Sequence, residues 1–128
     1  MAYDVEVILM RQLASYLAMP IFLVDPDGTL VYFNEPAELL LGRSYEESGE
    51  LPAAEWSTMF EQTADDGASL AAESLPLVIA LKEHRPAHDS FTIKGLDGHS
   101  RRISVTAFPL VGEKGRLLGA VAIFWEAG

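Results

Sequence analysis

Apolar residues recur at intervals of three and four between Asp4 and Met19, where Val5, Ile8, Leu9, Leu13, Tyr16 and Leu17 share one side of a helical projection and Pro20 closes the run. This spacing predicts an amphipathic helix. The period then changes. Ile21 to Asp25 is apolar and partly β-branched, the turn formers Pro26, Asp27 and Gly28 follow, and Thr29 to Phe33 is again β-prone, which predicts a hairpin. Asn34 suits an N-cap, Pro36 a first helical turn and Gly42 a left-handed C-terminal residue, so a short capped helix leaves the second strand.

Residues 43–50 are polar and read as a turn or short helix, and 51–74 is the least periodic stretch. Within it Trp56, Met59 and Phe60 fit one helical face, whereas Thr63 to Ser69 has the Asp, Gly and Ser content of a loop. Ser74 reads as an N-cap for a helix carrying Leu75, Val78, Ile79 and Leu81 and ending before Arg85-Pro86. The last third predicts strands over Ser90 to Lys94, Ser100 to Leu110 and Leu117 to Trp125, with turns at 96–99 and 112–115. In the middle strand Ile103, Val105 and Ala107 alternate with Arg102, Ser104 and Thr106, which identifies its inner face. The other strands are apolar on both faces and need cover on both.

Composition narrows the functional classes. The 128 residues suit one domain with a self-sufficient core. Cysteine is absent, which removes disulfides, thiolate metal sites and cysteine chemistry and agrees with a reducing cytoplasm. No apolar run approaches the roughly 20 residues of a membrane helix, and the start lacks a basic secretory n-region, so a cytoplasmic protein without membrane contact is expected. The net charge of −10 and the lack of a basic cluster beyond Arg101-Arg102 argue against nucleic acid as a partner. His84, His88 and His99 form no ligand-spaced cluster, with His88 and His99 placed in a loop and a turn, and no metal is expected. Neither a Gly-x-Ser-x-Gly context nor a Gly-x-x-x-x-Gly-Lys stretch occurs, and the carboxylates show no acid–base constellation; no catalytic residue and no enzyme activity are expected.

The order helix, two strands, short helices, three strands, with the stretches IFLVDPDGTLVYFNEPAELLLG, DDGASLAAESLPLVIALKEHRP and RRISVTAFPLVGEKGRLLGAVAIFWE, resembles a PAS domain over residues 20–128, preceded by the amphipathic helix of residues 1–19. The resemblance implies an α+β fold: a five-stranded antiparallel sheet in order 2-1-5-4-3, with the central helices on one face. It also implies a sensory or signalling module that binds a small molecule, mediates protein contacts, or does both. The alternative is a ligand-free dimerisation domain. A haem- or flavin-binding sensor is the further option, with His84, near the end of the helix before the third strand, as the axial residue. The flavin-adduct and thioester-linked chromophore types need a cysteine that this chain lacks. No cofactor is expected, and a solvent-facing histidine interacting with the helix dipole is the favoured account of His84.

The phase that the resemblance sets turns Phe22, Val24, Leu30, Tyr32, Phe91, Ile93, Ala120, Ala122 and Phe124 inward beside Ile103, Val105 and Ala107. Trp56, Val78 and Leu81 face them from the helical side. These are the pocket candidates, and for any one of them taken singly close packing in the core is the favoured account over ligand contact. With Tyr32 as the only one of these inward strand residues to offer a polar group, the ligand is expected to be small and mostly apolar or aromatic. The opposite phase, Val121, Ile123 and Trp125, together with Val5, Ile8, Leu9, Leu13 and Tyr16, forms the candidate homodimer interface, unless the helix covers its own sheet. Family members often end the last strand with Asp-x-Thr. Here Glu126-Ala127-Gly128 stands in that place, so the chain is expected to act alone or with an effector protein in trans.

Overall fold

The computed structural model describes residues 5–127 apart from 43, 45, 47, 48, 53, 57–60, 96 and 97, and side chains other than those of 11, 14, 15, 40 and 41. The expectations for residues 43–50, for Met59 and Phe60 and for the tip of the 96–99 turn fall wholly or mostly outside these residues. Helix α1 spans Val5–Tyr16, strands β1 and β2 span Ile21–Val24 and Leu30–Phe33, and α2 spans Glu35–Leu41. Helix α3, Pro76–Glu83, precedes β3, Ala87–Lys94; β4, Ser100–Val111; and β5, Leu117–Glu126. The strands form one antiparallel sheet in the order β2-β1-β5-β4-β3.

Asn34 does more than cap. Its Oδ1 accepts from the Ala37 amide at 3.2 Å and from the Ile21 amide at 3.1 Å, and its Nδ2 donates to the Met19 carbonyl at 2.9 Å. One buried side chain thus starts α2 and fixes where β1 leaves the linker after α1. The bonds offset the cost of burying an amide at 1% exposure. Gly42 ends α2 in the left-handed region, its N–H donating to the Glu38 carbonyl. At Gly119, with φ at 147°, any Cβ would collide with the Val24 carbonyl, so only glycine lets β5 lie this close to β1.

Two local expectations are corrected. Ser74 is not the N-cap of α3: it ends a 3-10 turn over Ala72–Ser74, and Leu75 holds the cap position without a side-chain cap bond. Leu75 is 4% exposed, so burial of its side chain in the core sets where the helix begins. His88 lies in a strand and not in a loop, because β3 extends back to Ala87 and pairs His88 with Thr106. Polar residues tolerate this position because β3 is an edge strand and its outer face meets solvent.

Each face of the sheet carries a separate core. The inner cluster joins Phe22, Val24, Leu30, Phe33, Phe91, Ile93, Ile103, Val105, Ala107, Ala120, Ala122 and Phe124 with Ala37, Leu51, Trp56, Leu75, Leu77 and Ala80 from the covering segments. The outer cluster joins Ile21, Leu23, Val31, Leu118 and Val121 with Val7 of α1. Tyr32 packs against the outer cluster and so does not face inward as expected. A bulge is the cause: Leu23 pairs with Tyr32 and Val24 with Leu30, which leaves Val31 as the extra residue. Leu30 and Phe33 therefore share the inner face, while Val31 and Tyr32 both turn outward.

Candidate functional site: an apolar cavity between sheet and helices

A cavity of about 60 Å³ lies inside the inner cluster. Phe22, Ala122 and Phe124 wall it from the centre of the sheet, Phe91, Ile93, Ile103 and Val105 from β3 and β4, and Trp56, Gln62, Leu75, Pro76 and Leu77 from the covering segments. Its walls are almost wholly apolar. Two of its walls form an aromatic pair: Phe22 meets Phe124 edge to face with ring centroids 5.0 Å apart, and Phe22 also meets Phe33 of the inner cluster at 5.8 Å.

The cover is pinned to both edges of the sheet. Leu51 exchanges two backbone hydrogen bonds with Leu30 of β2, at 2.7 and 3.0 Å, and Trp56 Nε1 donates to the Gly28 carbonyl in the β1–β2 turn at 2.7 Å. On the opposite side Thr63 exchanges two bonds with Thr92 of β3, at 2.8 and 2.9 Å, and a tight turn runs through residues 64–68. Asp65 in that turn receives Arg102 Nε and Nη2 at 3.0 and 3.1 Å. The two hydrogen bonds, reinforced by the guanidinium charge, hold the Asp65 carboxyl below its ordinary range and raise Arg102. Both side chains are exposed, so this clasp is screened by solvent.

Of the sequence-predicted pocket residues, the structure brings Phe22, Trp56, Phe91, Ile93, Ile103, Val105, Ala122 and Phe124 to the cavity. Val24, Leu30, Ala107 and Ala120 sit in the same cluster as packed core away from it, Val78 and Leu81 pack at its edge, and Tyr32 lies across the sheet. Ala80 on α3 and Ala107 and Ala120 on the strands are all fully buried, and α3 packs over β4 and β5. The small side chains at Ala107 and Ala120 bring helix and sheet together, and only that at Ala122 opens onto space. Gln62, Leu75, Pro76 and Leu77 were missed. Leu75 was legible as the apolar residue before a helix-starting proline, whereas the place of Gln62 depends on the Thr63–Thr92 pairing.

His84 is exposed and holds the left-handed C-terminal position of α3, with φ at 53°. It is not among the residues that wall the cavity, and these walls do not fit a haem. His88 stacks on Trp125 on the outer face, with ring centroids 6.2 Å apart. Among the described residues no group of three or more His, Asp or Glu side chains is placed to hold a metal ion, and no helix is long and apolar enough to cross a membrane. Of the interface candidates, Val121 is fully buried in the outer cluster that Val7 of α1 joins, which removes it from any exposed interface, and Ile123 is half-buried against that cluster. Val5, Ile8, Leu9, Leu13, Tyr16 and Trp125 remain exposed.

A sequence profile described as PAS domain matches residues 18–125. The structure is similar to the PAS domain of a Colwellia psychrerythraea protein, with a TM-score of 0.67, 21% identity and coverage of 94% of this chain and 97% of that one. The LOV protein of Rhodobacter sphaeroides gives a TM-score of 0.74 at 16% identity, covering 98% of this chain and 69% of that one. The PAS domain of nitrogen regulation protein NR(II) from Vibrio parahaemolyticus gives 0.64 at 19% identity, covering 93% and 98%. A comparison with curated protein sequences finds no match.

Proposed function

The chain belongs to the PAS domain family, a family of sensory and signalling modules, and we propose that this member senses a small, neutral, apolar molecule held between its sheet and its covering segments. The cavity carries this reading. One water-sized group needs about 10–15 Å³ in such a space, so about 60 Å³ admits a guest of roughly four to six non-hydrogen atoms. Among the described residues the walls include no charged side chain, so a carboxylate or ammonium would lose its hydration without a partner there. A LOV domain of the same fold is described with a flavin analogue. A flavin ring system exceeds this cavity several-fold in volume, and the residues here do not fit one.

The test is a titration of the full chain with cyclopentane and with butyrate, followed by methyl NMR. Cyclopentane is expected to shift Ile93, Ile103 and Val105 saturably, and butyrate to leave them unmoved. Saturable shifts from butyrate, or none from cyclopentane, would overturn the reading.

A second reading, homodimerisation through α1, is favoured by one observation: Val7 is buried against the sheet while Val5, Ile8, Leu9, Leu13 and Tyr16 are all at least half exposed. A helix that uses one apolar face at home and presents another to solvent suits a second copy of itself. Light scattering on the full chain and on a chain lacking residues 1–18 tests it, with loss of the dimer on deletion as the expected result.

A further inference from the structure

We infer that Trp56 transmits occupancy of the cavity to the β1–β2 turn, through the hydrogen bond from its indole to the Gly28 carbonyl; this rests on the reading of the cavity as a binding site. Most wall residues end in hydrocarbon and can pass on a guest's presence only by packing. Trp56 differs. It is 3% exposed, its ring walls the cavity, and its Nε1–H donates to Gly28 at 2.7 Å in a buried bond.

The indole has one N–H and no acceptor, so it has no second way to satisfy that carbonyl. A guest that displaces the ring either draws the carbonyl with it or leaves a buried acceptor unpaired. Both outcomes are felt at the turn. The backbone of the 51–56 segment also limits how the ring can yield, since Leu51 is tied to Leu30 at one end and the Trp56 amide donates to the Pro52 carbonyl at 3.2 Å.

The receiving element is rigid enough to move as a unit. Asp25 Oδ1 accepts from the Asp27 and Thr29 amides at 2.9 and 3.0 Å, the Gly28 amide donates to the Asp25 carbonyl at 2.9 Å, and the Asp25 amide donates to the Thr29 carbonyl at 2.9 Å. Pro26 and Asp27 at its tip face solvent. A displacement of Gly28 therefore reaches an exposed acidic loop at one end of the sheet, where another protein could read it.

The experiment uses the full chain under xenon, an apolar probe that fits small dry cavities, with NMR of methyls, backbone amides and both indole N–H groups. In the wild type the methyls of Ile93, Ile103 and Val105, the Trp56 indole and the amides of Asp27, Gly28 and Thr29 are expected to shift with one common midpoint, while the Trp125 indole stays still. Trp56→Phe should keep the methyl shifts and lose the turn shifts. Turn shifts that persist in Trp56→Phe would overturn the inference, as would methyl shifts in the wild type without any movement of the Trp56 indole, a measurement that stands even where the variant does not fold. Both of those results leave the cavity reading intact. Absence of methyl shifts in the wild type, or identical shifts in Ala122→Leu, would remove the cavity as a site and this inference with it.

Discussion

Both faces of the sheet carry an apolar core, the outer one centred on β1, β2 and β5, and the two end in different states. On the inner face, segments from residues 35 to 83 cover the strands and leave a small apolar space. On the outer face, α1 contributes Val7 to the core and Met10 to its edge, yet Val5 remains 65% and Tyr16 80% exposed. The difference lies in the cover. The inner cover is pinned by hydrogen bonds at both sheet edges, whereas α1 reaches the sheet through a short linker held at Met19 by Asn34. A pinned cover can keep a void open because its anchors resist collapse. An apolar helix face exposed to water gains most by finding another apolar surface.

The largest test of this contrast is whether the outer face is a true core at its centre. Leu23 is fully buried there, and Leu23→Ala is expected to cost about 2–5 kcal/mol in urea denaturation. A loss under about 1 kcal/mol would mean that the outer face is loosely covered throughout.

Next, the inner face can be divided into packed and open positions. Ala120→Leu should cost about 1–3 kcal/mol, because its site is fully packed. Ala122→Leu, two residues along the same strand, should be neutral or stabilising by up to about 1 kcal/mol, because the added atoms enter existing space. Equal costs in thermal melts would contradict the division.

A smaller effect on stability, with a larger one on assembly, is expected at α1. Leu9 is 57% exposed, so Leu9→Glu should change the stability of the single chain by no more than about 0.5 kcal/mol while converting a dimer to monomer in sedimentation. An unchanged sedimentation profile would remove α1 from the interface.

The smallest effect concerns the Asp65–Arg102 clasp. The carboxyl is lowered in the folded state, so its contribution is fully present above the ordinary carboxylate value of about 4 and is lost as pH falls through the lower folded value. The raised Arg102 stays charged throughout that window and adds no dependence there. Asp65→Asn should flatten the acid limb of stability against pH slightly, and added salt should narrow the gap to wild type. An unchanged acid limb would show that the clasp contributes nothing.

The elements whose local chemistry and period agree were legible in the sequence. The Asn34 cap, the Gly42 terminus, the β1–β2 hairpin and the alternation of Ile103, Val105 and Ala107 all follow from side-chain size, polarity and backbone freedom within a few residues. The PAS resemblance added the strand order, and eight of the proposed pocket residues do wall the cavity. What the sequence could not determine depends on contacts between distant segments. The bulge at Val31 turns Tyr32 outward because of how β2 meets β1, and the start of α3 is set by burial of Leu75. The placement of Gln62 at the cavity rests on pairing at Thr63, and that of Trp56 on a bond to Gly28. Among three small residues with the same local character, packing between α3 and the sheet closed over Ala107 and Ala120 and left space beside Ala122, because complementarity of shape belongs to the assembled core and not to any one strand.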